Sequence, residues 1–312
     1  MEKLAVIIPC FNEEASLAES YSRTKKVIDS IRDFDTEIIF VNDGSRDKSR
    51  EILNTIAAGD STVKVIHFSR NFGHQSAVSA GIKHCDADYA LIMDADMQDP
   101  PELIPEILEK CREENANCVY CVRKSREKES WFKKQTSKMF YRTMNRMSEV
   151  QFPVDTGDFR LIDRKIIDAF NKLPEHGKYI RGLVSWIGFK QVPFYYERKA
   201  RIAGQTKYPL KKMIGFASTA LLYFSKKPLQ IVVGLGFFAM IVGIFLAIWV
   251  MLGKFFGFSN AETGWTSIIT IVVFFGGVQL LTIGVLGQYI GVLFDEIKNR
   301  PEYIIDEVRN FE

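Results

Sequence analysis

Three strand-like runs in this sequence end in acidic residues. The first closes on Pro9, Cys10, Phe11, Asn12, Glu13 and Glu14, the second on Asn42, Asp43, Gly44 and Ser45, and a later one on Asp94, Ala95, Asp96, Met97, Gln98 and Asp99. Asp94 and Asp96 stand two apart at a strand end, so their side chains can project to the same side. Two carboxylates held together repel unless something positive lies between them, and a hard divalent cation with oxygen ligands is the simplest candidate. Such a cation keeps part of its water and is shared with substrate phosphates, which points to a nucleoside diphosphate. A single Asp at a strand end ordinarily caps a turn or the next helix. Three acidic strand ends in one sheet exceed that explanation. The chain has no G-x-x-x-x-G-K-S/T loop and no G-x-G-x-x-G turn after the first strand, so P-loop and dinucleotide readings lose their main support.

The elements that must carry these residues alternate. Short apolar or β-branched runs at 4–9, 37–42, 63–69 and 89–93 are separated by helix-length mixtures at 13–31, 47–58 and 74–85. That order predicts a doubly wound α/β domain with a parallel sheet covered on both faces, its ligand beyond the carboxyl ends of the strands. Residues 118–122 and 191–196 read as later strands. Residues 130–147 read as a basic helix with aromatics at Trp131, Phe132, Phe140 and Tyr141.

The chain's 312 residues, 47% of them hydrophobic, and its net charge of +3 exclude a disordered or fibrous protein, and no nucleic-acid partner is expected. The average hides a split. Residues 229–252 and 265–294 contain no charged side chain, and each run exceeds the roughly 20 apolar residues that cross a bilayer as a helix. A wholly soluble protein is therefore not expected. Met1, Glu2 and Lys3 lead straight into a strand-like run, so no secretory signal is expected either. Arg198, Lys199, Arg201, Lys207, Lys211, Lys212, Lys226 and Lys227 precede the first run, Lys254 alone lies between the two, and Lys298 and Arg300 follow the second. By the positive-inside rule both ends are cytoplasmic, in a multi-pass protein of the cytoplasmic membrane. The expected division is a globular domain at 1–200, an amphipathic interface segment at 201–227, a span at 228–253, a short external loop at 254–264, a span at 265–294 and a cytoplasmic tail at 295–312. Gly276, Gly277, Gly284, Gly287 and Gly291 recur at near-helical spacing, which suits packing against the first span or a neighbouring subunit and makes a homo-oligomer the expectation. The five cysteines all lie in the polar part and read as free thiols, with Cys118 and Cys121 as buried small residues. His67, His74, His84 and His176 show no ligand spacing. His74 lies in a motif that could line the site, although a satisfied structural histidine is the commoner case.

The ordered motifs VIIPCFNEE (6–14), VNDGSRDKS (41–49), SRNFGHQSA (69–77) and DADMQDPPELIP (94–105) together resemble the family 2 glycosyltransferases of GT-A fold. VDTGDFRLIDR (154–164), RIAGQTKYPL (201–210) and the two apolar runs narrow the resemblance to the polyprenyl-phosphate glycosyltransferases, the bactoprenol glucosyltransferase-like group. The resemblance implies that Pro9, Phe11 and Glu13 hold a uridine, that Asp43 reads its base and that Asp94 lies near the ribose and diphosphate. Asp96, helped by Gln98 and Asp94, would bind Mg²⁺ or Mn²⁺. Asp158 matches the carboxylate assigned as catalytic base, with Asp155 as a lower-ranked competitor. Arg201, Gln205 and Lys207 match a basic loop that closes over phosphates, and by looser analogy Arg123, Lys133 and Ser137 meet the acceptor phosphate. The implied activity is inverting transfer of a hexose from a UDP-sugar to polyprenyl (undecaprenyl) phosphate. Glucose is expected ahead of N-acetylglucosamine and galactose, and the product is a membrane-bound sugar donor for cell-envelope glycans.

Chemistry qualifies the base assignment. A phosphate monoester has a second pKa of about 6 and is already largely ionised at neutral pH. The expectation is that Asp158 orients groups, while the metal and Arg/Lys charges stabilise the departing diphosphate. A processive polysaccharide synthase would need a Q-x-x-R-W element and more spans. A noncatalytic sugar-nucleotide sensor or flippase component would not need the intact carboxylates.

Overall fold

The computed structural model describes residues 1–123, 156–175, 179–197, 225–256 and 264–311. Its first unit is built on an eight-stranded sheet. Strand β1 (Glu2–Cys10) is followed by α1 (Leu17–Ile28), β2 (Phe34–Asn42), α2 (Ser49–Gly59), β3 (Val63–Phe68), α3 (His74–Lys83) and β4 (Tyr89–Ile92). Then come a 3-10 turn (Pro101–Leu103), α4 (Ile104–Glu113), β5 (Cys118–Arg123), β6 (Thr156–Asp163), α5 (Arg164–Asn171), α6 (Ile180–Ile187) and β7 (Gln191–Tyr196). After the apolar helices the chain returns as β8 (Ile305–Arg309). The sheet order is β7-β5-β6-β4-β1-β2-β3-β8.

The half formed by β3, β2, β1 and β4 is parallel, as its alternation with helices predicts. Leu4 to Ile8 of β1 are fully buried because helices cover both faces, and this explains why the strand reads as a continuous apolar run. On one face α3 lies so close that a Cβ on Gly81 would stand 2.3 Å from Ile7 Cγ2. The other half mixes directions. β6 runs antiparallel to both β4 and β5, while β7 is parallel to β5. Sequence reading missed β6 because it carries Asp158 and Arg160, yet Thr156 to Ile162 are buried without interruption. It missed β8 because Ile305–Arg309 carries three charges in five residues, as an edge strand does. The stretch expected to be a tail thus contributes a strand antiparallel to β3.

The second unit contains α7 (Lys227–Phe255) and α8 (Gly264–Ile297), both long and apolar enough to cross a membrane. Their apolar side chains stand open, as at Phe238, Trp249 and Leu280. Among the described residues nothing lies within 4 Å of where a Cβ would stand on Gly276, Gly277, Gly284, Gly287 or Gly291. All five cysteines are free and buried, as expected.

Candidate active site

The loops at the carboxyl ends of β1, β2 and β3 are sewn together by hydrogen bonds. Asn12, held at a positive φ of 54°, accepts from Arg46 N (2.8 Å) through Oδ1 and donates its own N–H to Ser45 Oγ (2.9 Å). Glu13 N donates to Ser49 Oγ (3.0 Å). Gly44 has φ +62°, and a Cβ there would fall 2.3 Å from the Arg70 carbonyl carbon, so only glycine lets the 70–71 loop cross this point. Asn42 is fixed from two sides: Oδ1 accepts from Ser45 N (3.0 Å), and Nδ2 donates to His67 Nδ1 (2.9 Å). His67 Nε2 then donates to Asn54 Oδ1 (3.0 Å), which sets its neutral tautomer. Burial, reinforced by the Arg50 charge, pushes the His67 pKa down to about 4.

These loops enclose a cavity of about 600 Å³ whose wall includes Phe11, Asn12, Gly44, Phe68 and three arginines, Arg46, Arg50 and Arg70. Phe11 stands exposed at its rim. Pro9 is buried within β1 opposite Val41, outside the lining. Asp43 is only 2% exposed, and its carboxylate accepts from Phe72 N (2.6 Å), Gly73 N (2.9 Å) and Asn71 Nδ2 (2.8 Å). It anchors the loop that forms the cavity wall. Burial raises its pKa against the pull of those two backbone N–H groups.

At the end of β4 the expected alternation holds: Asp94, Asp96 and Gln98 are partly exposed, whereas Ala95, Met97 and Asp99 are buried. Asp96 Oδ1 accepts from Gln98 N (3.1 Å), and the turn is tight enough to hold Met97 at φ +61°. Among the described residues no group of three or more His, Cys, Asp or Glu side chains is placed to hold a metal ion. Two carboxylates and an amide oxygen on one open face nevertheless fit a hard cation that completes its shell with water and substrate oxygens.

Beside this turn α3 and α6 converge on Asp158 of β6, which is 6% exposed. Arg181 of α6 grips it with two bonds, Nε to Oδ1 (2.7 Å) and Nη2 to Oδ2 (3.1 Å), and ties its third nitrogen to Thr156 O (3.0 Å). His74, the first residue of α3, donates from Nε2 to Asp158 Oδ2 (3.1 Å) and stands 3.7 Å from Asp94 Oδ1. Gln75 Oε1 accepts from Ile180 N (3.0 Å), which pins α6 to α3. Burial alone would raise the Asp158 pKa, but the Arg181 charge and the hydrogen bonds from His74 and Arg181 outweigh it and hold the carboxyl well below its usual range. Burial likewise pulls His74 down, and the Asp158 bond and Asp94 charge lift its pKa to about 9. His74 thus faces both Asp158 and Asp94. Arg181 was missed altogether. The available signal was a lone arginine inside the apolar helix IRGLVSWI, where a buried charge needs a partner.

Arg123, expected at the acceptor phosphate, hydrogen-bonds Tyr196, whose hydroxyl donates to the buried Asp99 (2.6 Å). Its guanidinium lies over Gly157, where a Cβ would come within 2.8 Å of Nη2, so it flanks Asp158 through the neighbouring residue. Lys133, Ser137, Asp155, Arg201, Gln205, Lys207 and nearly all of the expected interface segment lie outside the described residues.

A sheet of this order, with a nucleotide-sized cavity at the carboxyl ends of its parallel strands, has the architecture of a GT-A glycosyltransferase domain. The family model "Glycosyl transferase family 2" matches residues 5–170. The uncharacterized glycosyltransferase YkcC of Bacillus subtilis (strain 168) is 45% identical over 97% of this chain and 93% of its own length. A prophage bactoprenol glucosyl transferase homolog of Escherichia coli (strain K12) is 35% identical over 98% of this chain and 99% of its own. A glucosyl-3-phosphoglycerate synthase from Mycobacterium tuberculosis, solved with Mn²⁺, UDP and phosphoglyceric acid, aligns at 17% identity and TM-score 0.46 over 71% of this chain and 76% of that one. The chain belongs to glycosyl transferase family 2 and is a glycosyltransferase of the bactoprenol glucosyl transferase-like group.

Proposed function

We propose that the enzyme transfers a hexose, glucose first, from a UDP-sugar to polyprenyl phosphate at the cytoplasmic face of a membrane, with inversion at the anomeric carbon. The observation that carries this reading is that 35% identity to bactoprenol glucosyl transferases runs through both the catalytic sheet and the two exposed apolar helices. A long polyprenol cannot leave the bilayer, so its transferase must be held there. The segment containing α7 and α8 leaves one folded unit and returns to it at β8, which supports an even number of spans, with residues 228–253 and 265–294 crossing.

In this reading Phe11 and the cavity beside it take the nucleoside, and Asp43 shapes that end by holding the Asn71–Gly73 loop. Asp94, Asp96 and Gln98 would hold Mg²⁺ or Mn²⁺, which when bound supplies positive charge to the departing diphosphate. Glu13, Arg123, Lys133, Ser137, Arg201, Gln205 and Lys207 keep their expected donor and phosphate roles. Attack by a phosphate oxygen on the anomeric carbon, opposite the breaking C–O bond, forms the new C–O bond as UDP leaves. Asp158 holds Arg181 and His74 in place rather than removing a proton, because an acid so strengthened is too weak a base to be useful at neutral pH.

The test is to incubate the purified full-length protein with polyprenyl phosphate, Mn²⁺ or Mg²⁺ and labelled UDP-glucose, UDP-N-acetylglucosamine or UDP-galactose in parallel. Label in the lipid extract, strongest from UDP-glucose, is the expected result. Lipid label from none of the three donors would overturn the proposal.

A further inference from the structure

Residues 302–311 follow the last apolar helix, and in the structure they are built into the sheet next to the cavity. β8 pairs with β3 through Val65↔Arg309, Ile66↔Val308, His67↔Glu307 and Phe68↔Ile305, with a register shift between His67 and Phe68. Such a shift turns a side chain away from its regular direction. Just beyond it, Ser69 N donates to Ile304 O (3.0 Å).

Three cavity-lining residues rest on this segment. The Phe68 ring stacks on Tyr303 with centroids 4.9 Å apart and planes 10° from parallel. Ser69 is fixed by the Ile304 carbonyl. Arg50 Nη2 donates to Asp306 Oδ2 (2.7 Å) and to Glu307 Oε2 (2.8 Å). The segment is anchored at both ends independently of the cavity. Ser79 Oγ donates to Glu302 Oε2 (2.9 Å), and Asn310 Nδ2 donates to Ala57 O and Val63 O (both 2.8 Å).

We propose that residues 302–311 form the rear support of the donor pocket, with Tyr303 positioning Phe68 and the Asp306–Glu307 pair positioning Arg50, so that docking of this segment sets donor affinity. The proposal rests on reading the cavity as the nucleoside end of the donor site. Its physical basis is that Phe68 lines the cavity while only 2% exposed, held between the stacked Tyr303 ring and the edge-on Phe72 ring, whose centroid is 5.8 Å away. Without that ring it can turn into the volume the nucleoside needs. An aromatic pair is worth about 0.5–1.5 kcal/mol beyond its buried area, so the effect on affinity should approach tenfold.

The experiment measures donor KM, acceptor KM and kcat of the full-length protein. Tyr303→Ala should raise donor KM about tenfold while kcat and acceptor KM stay within about twofold of wild type. Tyr303→Phe should restore donor KM, since the ring is kept and the buried hydroxyl has no hydrogen-bond partner among the described residues. An unchanged donor KM in Tyr303→Ala, or a fall in kcat alone, overturns the proposal. Hydrogen exchange on the wild-type protein reads the same link without a variant. Added UDP should slow exchange in residues 303–309 together with 65–71, and slowing confined to 65–71 overturns the proposal. Phe11→Ala separates the two readings. If it raises donor KM and Tyr303→Ala does not, only the rear support fails. If Phe11→Ala leaves donor KM unchanged and UDP protects neither segment, the cavity reading fails and this proposal falls with it.

Discussion

Replacing Asp158 by Asn distinguishes an orienting carboxylate from a proton acceptor. Asn keeps one oxygen, enough for the 2.7 Å bond from Arg181 Nε. It then turns an amide NH₂ toward Arg181 Nη2 and His74 Nε2, both 3.1 Å from Oδ2, and toward Gln75 Nε2 at 3.4 Å, all three of them donors. The two shorter hydrogen bonds to a charged group are lost at about 1.5–3 kcal/mol each. That agrees with the roughly 3–5 kcal/mol cost of removing one partner from a buried ion pair. If about 3 kcal/mol of this appears in transition-state positioning, kcat falls about a hundredfold. The Asp158 carboxyl titrates well below its usual range, so it stays ionised throughout an assay from pH 5.5 to 9. The acid limb of the wild-type profile should instead follow the acceptor phosphate, with its second pKa of about 6. The assay is the initial rate of lipid-linked label across that range for both proteins, with thermal unfolding run alongside. Asp158→Asn should keep the same acid limb at a lower plateau, while His74, having lost the bond that lifts its pKa, releases its proton at lower pH than in wild type. A variant that regains the wild-type rate at high pH would refute the argument, because hydroxide would then be replacing a lost base.

Asp96→Ala should abolish metal-dependent turnover with thermal stability nearly unchanged, since a partly exposed side chain outside the core is worth only about 0.5 kcal/mol to the fold; turnover titrated against Mn²⁺ checks it, and an unaltered curve removes Asp96 from the metal site. Gly44→Ala should destabilise the protein by about 2 kcal/mol or more and weaken donor binding, because a Cβ at φ +62° meets the Arg70 and Asn71 backbone within 2.7 Å; a melting curve and donor KM equal to wild type would contradict this. His67 takes up a proton near pH 6.5 when unfolded and near pH 4 when folded, so the unfolded state binds more protons between these values. Stability should therefore fall as pH drops through that window, by up to about 3 kcal/mol. Thermal unfolding of wild type and His67→Gln at pH 7, 5.5 and 4.5 should show the smaller decline in the variant, and parallel declines would exclude His67 as the cause.

The parallel half of the sheet and the open face of Asp94, Asp96 and Gln98 were legible from the residues alone. Both depend on short periods: runs of buried β-branched residues broken by helix-length segments, and side chains that alternate every second position. The two apolar helices were legible for the same reason, since length and absence of charge are local properties. The motifs also singled out Phe11, which lines the cavity, and Asp158, which is buried beside His74 and Arg181.

What surrounds Asp158 was not legible. Arg181 lies 23 positions along the chain and His74 lies 84 positions back. No spacing rule links residues so far apart. β6 was hidden because its charges contradict an apolar strand pattern, and the buried Asp158 among them is tolerated because Arg181 and His74 pair with it. Asp43 was singled out for reading a base, but its hold on the Asn71–Gly73 loop depends on where β2 and β3 end beside each other. The chain order likewise made 302–311 look like a tail, although the free edge of β3 had a strand's worth of unpaired N–H and C=O groups to satisfy. Local sequence thus determined which residues could do chemistry and which segments were strand, helix or apolar span. The tertiary structure decided which charges meet, because burying a carboxylate is tolerable only where the fold delivers its counter-charge from a distant part of the chain.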